Sequence, residues 1–267
     1  MNVSFPFLRR GSTWPDILAV VAVIGILTGI TVPMMLSARH HASRARCTDN
    51  LREIGQAMSK YAELNHGRLP CTRPSRGPVA IPDVSNSGCA VADPFGEDGP
   101  VPNNVPAAMF LLIRCGLLDS TAFICPGSAG QPDRFDGHEA RQRSNFTDVQ
   151  LNLTYAMQNP YVDDSVVAGG FEWRLNASTD MVLVADRGPD SRLLKDLDPD
   201  SPTERLRMAN SANHERYGQN VLYSDGRVEY HDSPFAGTNR DHIYLNKSGR
   251  QLDSPSDAED TLLLPGE

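Results

Sequence analysis

Apolar side chains occupy the chain from Ile17 to Leu36, with Pro33 inside the run and one carboxylate, Asp16, at its start. About 20 residues rising ~1.5 Å each match a hydrocarbon core of ~30 Å, so the run predicts a membrane-spanning helix over 12–36. A cleavable secretory signal has an apolar region of only ~7–15 residues followed by a small-x-small site. This run is longer and lacks such a site, which favours an uncleaved anchor. Beyond Leu36 the pattern becomes amphipathic without a break. Ala42, Ala45, Leu51, Ile54, Met58, Tyr61 and Leu64 recur at helical steps, with Arg44, Arg46, Asp49, Arg52 and Glu53 between them. The spacing predicts one helix continuing through 37–66, closed by Gly67 and Pro70.

The next stretch, from Cys71 to Pro106, is dense in proline, glycine and small polar residues and reads as a long surface loop. Ala107 to Leu118 predicts a short amphipathic helix carrying Met109, Leu112, Ile113 and Leu117 on one side. Strand signals dominate the second half. Leu151, Leu153, Tyr155 and Met157 alternate with polar or small residues, and Met181 to Ala185 is a continuous apolar piece suited to a sheet centre. Asn220 to Ser224 and Arg227 to Tyr230 flank Asp225-Gly226, which predicts a tight hairpin with both turn residues at positive φ. The fold expected is α+β: a long N-terminal helix, half transmembrane and half amphipathic, packed on a C-terminal antiparallel sheet. One globular domain over 67–246 follows, with 247–267 a loose polar tail.

Composition narrows the function. With 267 residues and 40% hydrophobic content, the chain can bury one core outside a membrane. A net charge of −8 argues against nucleic-acid binding, which calls for a basic domain. Cys47, Cys71, Cys89, Cys115 and Cys125 contain no two-residue spacing of the zinc-knuckle or thioredoxin kind. Cys71–Cys89 and Cys115–Cys125 are local pairings an oxidising compartment would permit, leaving Cys47 free; five reduced thiols are the alternative. His138-Glu139 lacks the second histidine of a zinc-protease helix. Ser224 and Asp225 stand near His214 in sequence, but no G-x-S-x-G elbow is present, so no enzyme activity is expected.

The residues Arg9-Arg10-Gly11, then Asp16, then Ile17 to Leu36 resemble the class III signal of type IV pilins and type II secretion pseudopilins. The resemblance implies cleavage between Gly11 and Ser12 by a prepilin peptidase, removal of a leader over 1–11 and N-methylation of Ser12. Pro33 lies where helices of that family carry a proline. Asp16 stands in place of the usual glutamate and Ser12 in place of phenylalanine; Pro15 is also atypical. The family's carboxylate meets the new N-terminal ammonium of a neighbouring subunit, a pairing that suits a charge at the end of an apolar segment. Capping of the helix start is a second role open to Asp16.

A second resemblance rests on Asn213 to Val228, which is similar to the His-to-Asp-Gly signature of a pseudopilin-like group abundant in planctomycete-type bacteria. Ten residues rather than nine separate His214 from Asp225-Gly226. Phe123-Ile124-Cys125-Pro126, Leu183-Val184-Ala185-Asp186-Arg187 and Cys47 to Gly55 also look like pieces of that group. The expectation for His214 is to fix the loop leading into the hairpin. Asp225, Asp232 and Asp241 are calcium candidates by ligand chemistry, against a plain solvated acidic loop. Together the resemblances imply a pseudopilin or minor pilin-like subunit in the bacterial inner membrane, N-terminus cytoplasmic and C-terminal domain periplasmic. Its partners would be the peptidase and other pilin or pseudopilin subunits. The alternative is a membrane-anchored periplasmic binding protein or enzyme.

Overall fold

The computed structural model describes residues 14–75, 77–175 and 177–266, with the side chains at 16, 33, 36, 37 and 39 outside that description. The chain is α+β and divides into two compact units, 1–42 and 43–267. Helix α1 runs Trp14–Leu64. It stops where the N–H of Gly67 reaches back to the carbonyl of Ala62 at 2.8 Å, with His66 and Gly67 both left-handed. That six-to-one bond satisfies a carbonyl the helix leaves open, and it puts a histidine as well as the glycine at positive φ.

Within 14–42 the described apolar side chains are exposed, from Ile17 through Val21, Ile26 and Ile30 to Met35. The hydroxyls of Thr28 and Thr31 donate to the carbonyls of Ile24 and Leu27, each at 2.8 Å. Among the described residues no helix is long and apolar enough to cross a membrane.

The second unit is organised around a sheet with both faces covered. Cys47, Leu51, Ile54 and Met58 step along α1 by four, three and four residues and are all fully buried. At roughly 1.5–3 kcal/mol for each large apolar side chain removed from water, this stripe is a main anchor of the helix. A Cβ at Gly55 would sit 3.0 Å from a methyl of Leu222, so the glycine lets helix and sheet approach closely.

Strands β1 (Tyr155–Gln158), β2 (Val182–Asp186), β3 (Gln219–Tyr223), β4 (Val228–His231) and β7 (Leu263–Leu264) form an antiparallel sheet in the order β4-β3-β2-β1-β7. Period-two alternation sorts its residues. Tyr155, Met157, Leu222 and Leu264 join the core with α1, while Ala156, Val221, Tyr223 and Leu263 meet Ile243 and Tyr244 on the other side. A register shift between Val182 and Val184 breaks the alternation in β2. The small ribbon of β5 (Phe235–Ala236) and β6 (Asp241–His242) lies in the segment leading to Ile243.

Several expectations need correction. The strand expected from Leu151 starts only at Tyr155. Asp148 caps a short helix α3 (Val149–Asn152) by accepting from the N–H groups of Gln150 and Leu151, and this local bonding outcompetes the extended form. Helix α2 (Val105–Arg114) begins and ends earlier than expected and is buried on every side from Val105 to Ile113. Asn104 caps it, accepting from Ala107 N at 2.8 Å. Its Phe110 packs edge-on against Phe135 and Phe146, and Asn104 and Asn145 hold the preceding proline-rich loop through the carbonyl of Ser85.

The hairpin turn has three residues rather than two. Gly226 N donates to Tyr223 O, Tyr223 N donates to Arg227 O, and of Asp225 and Gly226 only the glycine has positive φ. The tail expected to be loose is part of the core, with Leu262, Leu263 and Leu264 fully buried. Gln158 accepts from Leu262 N at 2.8 Å and donates to the carbonyl of Asp260, which locks β7 beside β1.

Candidate functional site

Four side chains from four separate segments meet where α1 crosses the end of β2: Cys47, Cys125, Asp186 and His214. All are buried, and one ligand atom from each lies within 4.8 Å of every other. Cys47 comes from the buried stripe of α1. Asp186 is the last residue of β2, paired across the sheet with Tyr155. Cys125 follows a 3-10 turn over Ser120–Phe123, and its N–H is held by the hydroxyl of Thr154 at 2.6 Å. His214 ends the 3-10 turn Ala212–His214 that leads into β3. Gly127 has no side chain for a local reason: a Cβ there would stand 2.1 Å from the carbonyl of Asn213.

The carboxylate is the hub. Cys47 Sγ lies 3.0 Å from Asp186 Oδ1 and His214 Nε2 lies 3.1 Å from Asp186 Oδ2. Asn220 N donates to Oδ2 at 2.7 Å, and Asn213 Nδ2 donates to Oδ1 at 3.1 Å. Cys125 Sγ is 3.6 Å from His214 Nε2, and Asn220 Nδ2 is 3.2 Å from the same nitrogen. Tyr155 OH sits 3.1 Å from Cys47 Sγ and accepts from Asn50 Nδ2 at 3.2 Å, so its own proton is available to the sulfur. Arg44 lies over the ring of Tyr230 at 3.4 Å, and that ring meets His214 edge-on.

These contacts set the charges. Burial pushes the Cys47 thiol well up, and the neighbouring Cys125 and Asp186 push the same way. The Cys125 thiol is lowered to about 7, first by its contact with Cys47, against burial, and then by His214. Burial would lower the His214 imidazole, but its hydrogen bonds and charge attraction to Asp186 and Cys125 prevail and raise it to about 10. Burial likewise works against ionised Asp186, yet His214, Cys47 and Asn220 N hold its carboxyl below the ordinary value. The shifts favour an ionised Asp186 beside a protonated His214, with the Cys47 thiol held neutral, in a largely buried cluster.

The other sequence candidates fall elsewhere. Gly11 and Ser12 lie outside the described residues, as do the side chains of Asp16 and Pro33. Asp225 and Gly226 form the hairpin tip, where Asp225 is taken up by Arg227 at 2.7 Å. Asp232 offers its carbonyl to Asn210 Nδ2, and Asp241 accepts from Thr261 N. Asp225, Asp232 and Asp241 do not come together as a calcium site among the described residues. All five cysteines are free, so Cys115–Cys125 and Cys71–Cys89 are not bonded; Cys125 faces Cys47 instead. His214 was expected to fix the loop entering the hairpin; the structure places it in this cluster. No spacing motif marks the cluster, because each element supplies a single residue. Compared with protein-family models, curated proteins and solved structures, the chain matches none.

Proposed function

We propose that the chain is a pilin-like structural subunit, a pseudopilin or minor pilin, cut by a prepilin peptidase between Gly11 and Ser12. It would be held in a bacterial inner membrane by the first half of α1 and assemble with similar subunits through that helix. The observation that carries this reading is the division of α1. Its first half exposes Ile17, Leu18, Val20, Val21, Val23, Ile24, Ile26, Leu27 and Ile30, a surface that water does not tolerate on this scale, whereas its second half is a buried stripe of the globular unit. Thr28 and Thr31 spend their hydroxyls on the helix's own carbonyls, the arrangement a hydrocarbon surrounding requires. Gly25 and Gly29 leave open space at small-residue spacing, suited to close approach of a second helix.

The role is structural rather than catalytic in this reading. Cys125, Asp186 and His214 have the composition of a nucleophilic set, and the 0% exposure of Cys125 and Asp186 supports a structural role for them. Mass spectrometry of the native N-terminus is the test. A chain starting at methylated Ser12 supports the proposal, and one starting at Met1 overturns it. The Asp16→Ala variant should then be processed normally and fail to enter assemblies; unchanged assembly would remove the pairing role of that carboxylate.

A further inference from the structure

The geometry points to a tetrahedral site for a borderline-soft divalent cation of the zinc class, ligated by Cys47 Sγ, Cys125 Sγ, His214 Nε2 and one Asp186 oxygen. Zinc binds sulfur at about 2.3 Å and nitrogen or oxygen at about 2.0–2.2 Å. A tetrahedron with those bonds has edges of roughly 3.3–3.8 Å. Cys125 Sγ stands 3.6 Å from His214 Nε2, such an edge, and the carboxylate presents Oδ2 at 3.1 Å to His214 Nε2 and Oδ1 at 3.0 Å to Cys47 Sγ, so a small rotation sets one oxygen as ligand. All four atoms lie within 4.8 Å of one another, so a cation at their centre reaches each with only small side-chain adjustments.

Three polar groups converge on His214 Nε2. That single nitrogen faces the sulfur of Cys125, an oxygen of Asp186 and the amide nitrogen of Asn220. It carries at most one proton, and the Asn220 amide is oriented by Thr48, whose hydroxyl donates to Asn220 Oδ1 at 3.0 Å. A lone pair directed at a cation satisfies this nitrogen, while the Asn220 amide donates to Asp186 Oδ2 at 3.3 Å. Two sulfurs, an imidazole and a carboxylate are also the donor set that zinc selects over calcium or magnesium, which take oxygen.

The surroundings supply the outer support a metal site needs. Asn220 N and Asn213 Nδ2 orient the carboxylate, and Tyr155 OH, itself fixed by Asn50, is placed to donate to Cys47 sulfur. Binding forms two metal–sulfur bonds and releases the thiol protons of Cys47 and Cys125 to solvent, together with any proton on His214; no oxidation is involved. The cation would tie α1 to β2 and to the loops before β1 and β3, fastening the helix that the proposed assembly pulls upon.

The test uses the full chain, isolated under reducing conditions without chelator. About one zinc per chain is expected by elemental mass spectrometry. Cobalt substituted for zinc should give the sulfur-to-cobalt charge-transfer band and the strong visible bands of a tetrahedral centre. Cys47→Ser, Cys125→Ser and His214→Asn should each lower cobalt affinity by at least about tenfold, while Cys71→Ser and Cys115→Ser leave it unchanged. A chain without zinc and without the charge-transfer band overturns the site even if the variants fail to fold. So does cobalt affinity indifferent to Cys47 and Cys125, or a Cys47–Cys125 disulfide found in a separate sample whose free thiols are blocked at lysis without reductant.

Discussion

The backbone N–H of Asn220 donates to Asp186 Oδ2 at 2.7 Å, joining the start of β3 to the end of β2 through a side chain with no solvent exposure. The same carboxylate receives Asn213 Nδ2 and lies against His214 and Cys47. Removing it strands several buried donors at once. Asp186→Ala should therefore lower the unfolding free energy by about 3–5 kcal/mol, the cost of breaking a buried charged pair. Asp186→Asn keeps one acceptor oxygen and should lose less. Chemical denaturation of the three proteins side by side gives the order, and equal stabilities would show that Asp186 is not the hub.

Gly127 is required by contact rather than by φ. A methyl there would collide with the Asn213 carbonyl at 2.1 Å, backbone that cannot swing away as a flexible side chain would. Gly127→Ala should cost about 1–3 kcal/mol, as overpacking does, and should push the loop bearing Cys125 away from the turn bearing His214. Faster reaction of Cys125 with a thiol reagent in the folded variant is the specific readout. A stable variant with unaltered reactivity would show that the two loops move independently.

The C-terminal strand should behave as core. Leu262 and Leu264 face α1 and Leu263 faces Tyr244, so each of the three leucines fills packed space. Leu263→Ala and Leu264→Ala should each lose about 2–5 kcal/mol. Carboxypeptidase digestion should stall before Leu264 in the native chain and run through it in either variant. Rapid trimming of the native chain past Leu262 would contradict the docking of β7.

What the sequence displayed and what it hid differ by the range of the interactions involved. Leu51, Ile54 and Met58 of the buried stripe and the pieces that became β2, β3 and β4 were legible, because periodicity is a local signal that burial reinforces. Cys47 was not in the expected face, whereas Ala42, Ala45 and Leu64, which were, are exposed. Asp148 capping α3 overrode an alternation that looked like strand. The short apolar end Leu262 to Leu264 was masked by the polar residues before it, and its place beside β1 is a pairing across about a hundred residues, carried by Gln158. Cys47, Cys125, Asp186 and His214 were each visible within separate segments. Nothing local said that they converge, since the convergence is made by the crossing of α1 over the sheet.

Adjacent residues Asp241 and His242 pull stability in opposite directions with pH. Burial lowers the His242 imidazole from 6.5 to about 4; its Nδ1 accepts from Tyr244 N at 3.2 Å and its buried Nε2 has no hydrogen-bond partner among the described residues. The unfolded chain thus binds the proton more tightly, so this stability is present above pH 6.5 and is lost as pH falls toward 4, by up to about 3 kcal/mol. Burial raises Asp241 from 3.8 to about 7, assisted by the charge of Asp260 and opposed by Thr261 N. Here the folded chain binds the proton more tightly, so the contribution is present below the ordinary carboxylate value and is lost as pH rises through 7. Between pH 4 and 6.5 the two slopes oppose, and the wild-type profile should be shallow. His242→Gln removes the rising slope, leaving a stability that falls with pH; Asp241→Asn removes the falling slope, leaving one that rises. Urea midpoints measured across this range should therefore diverge with opposite sign in the two variants, and parallel profiles would refute the assignment of either group.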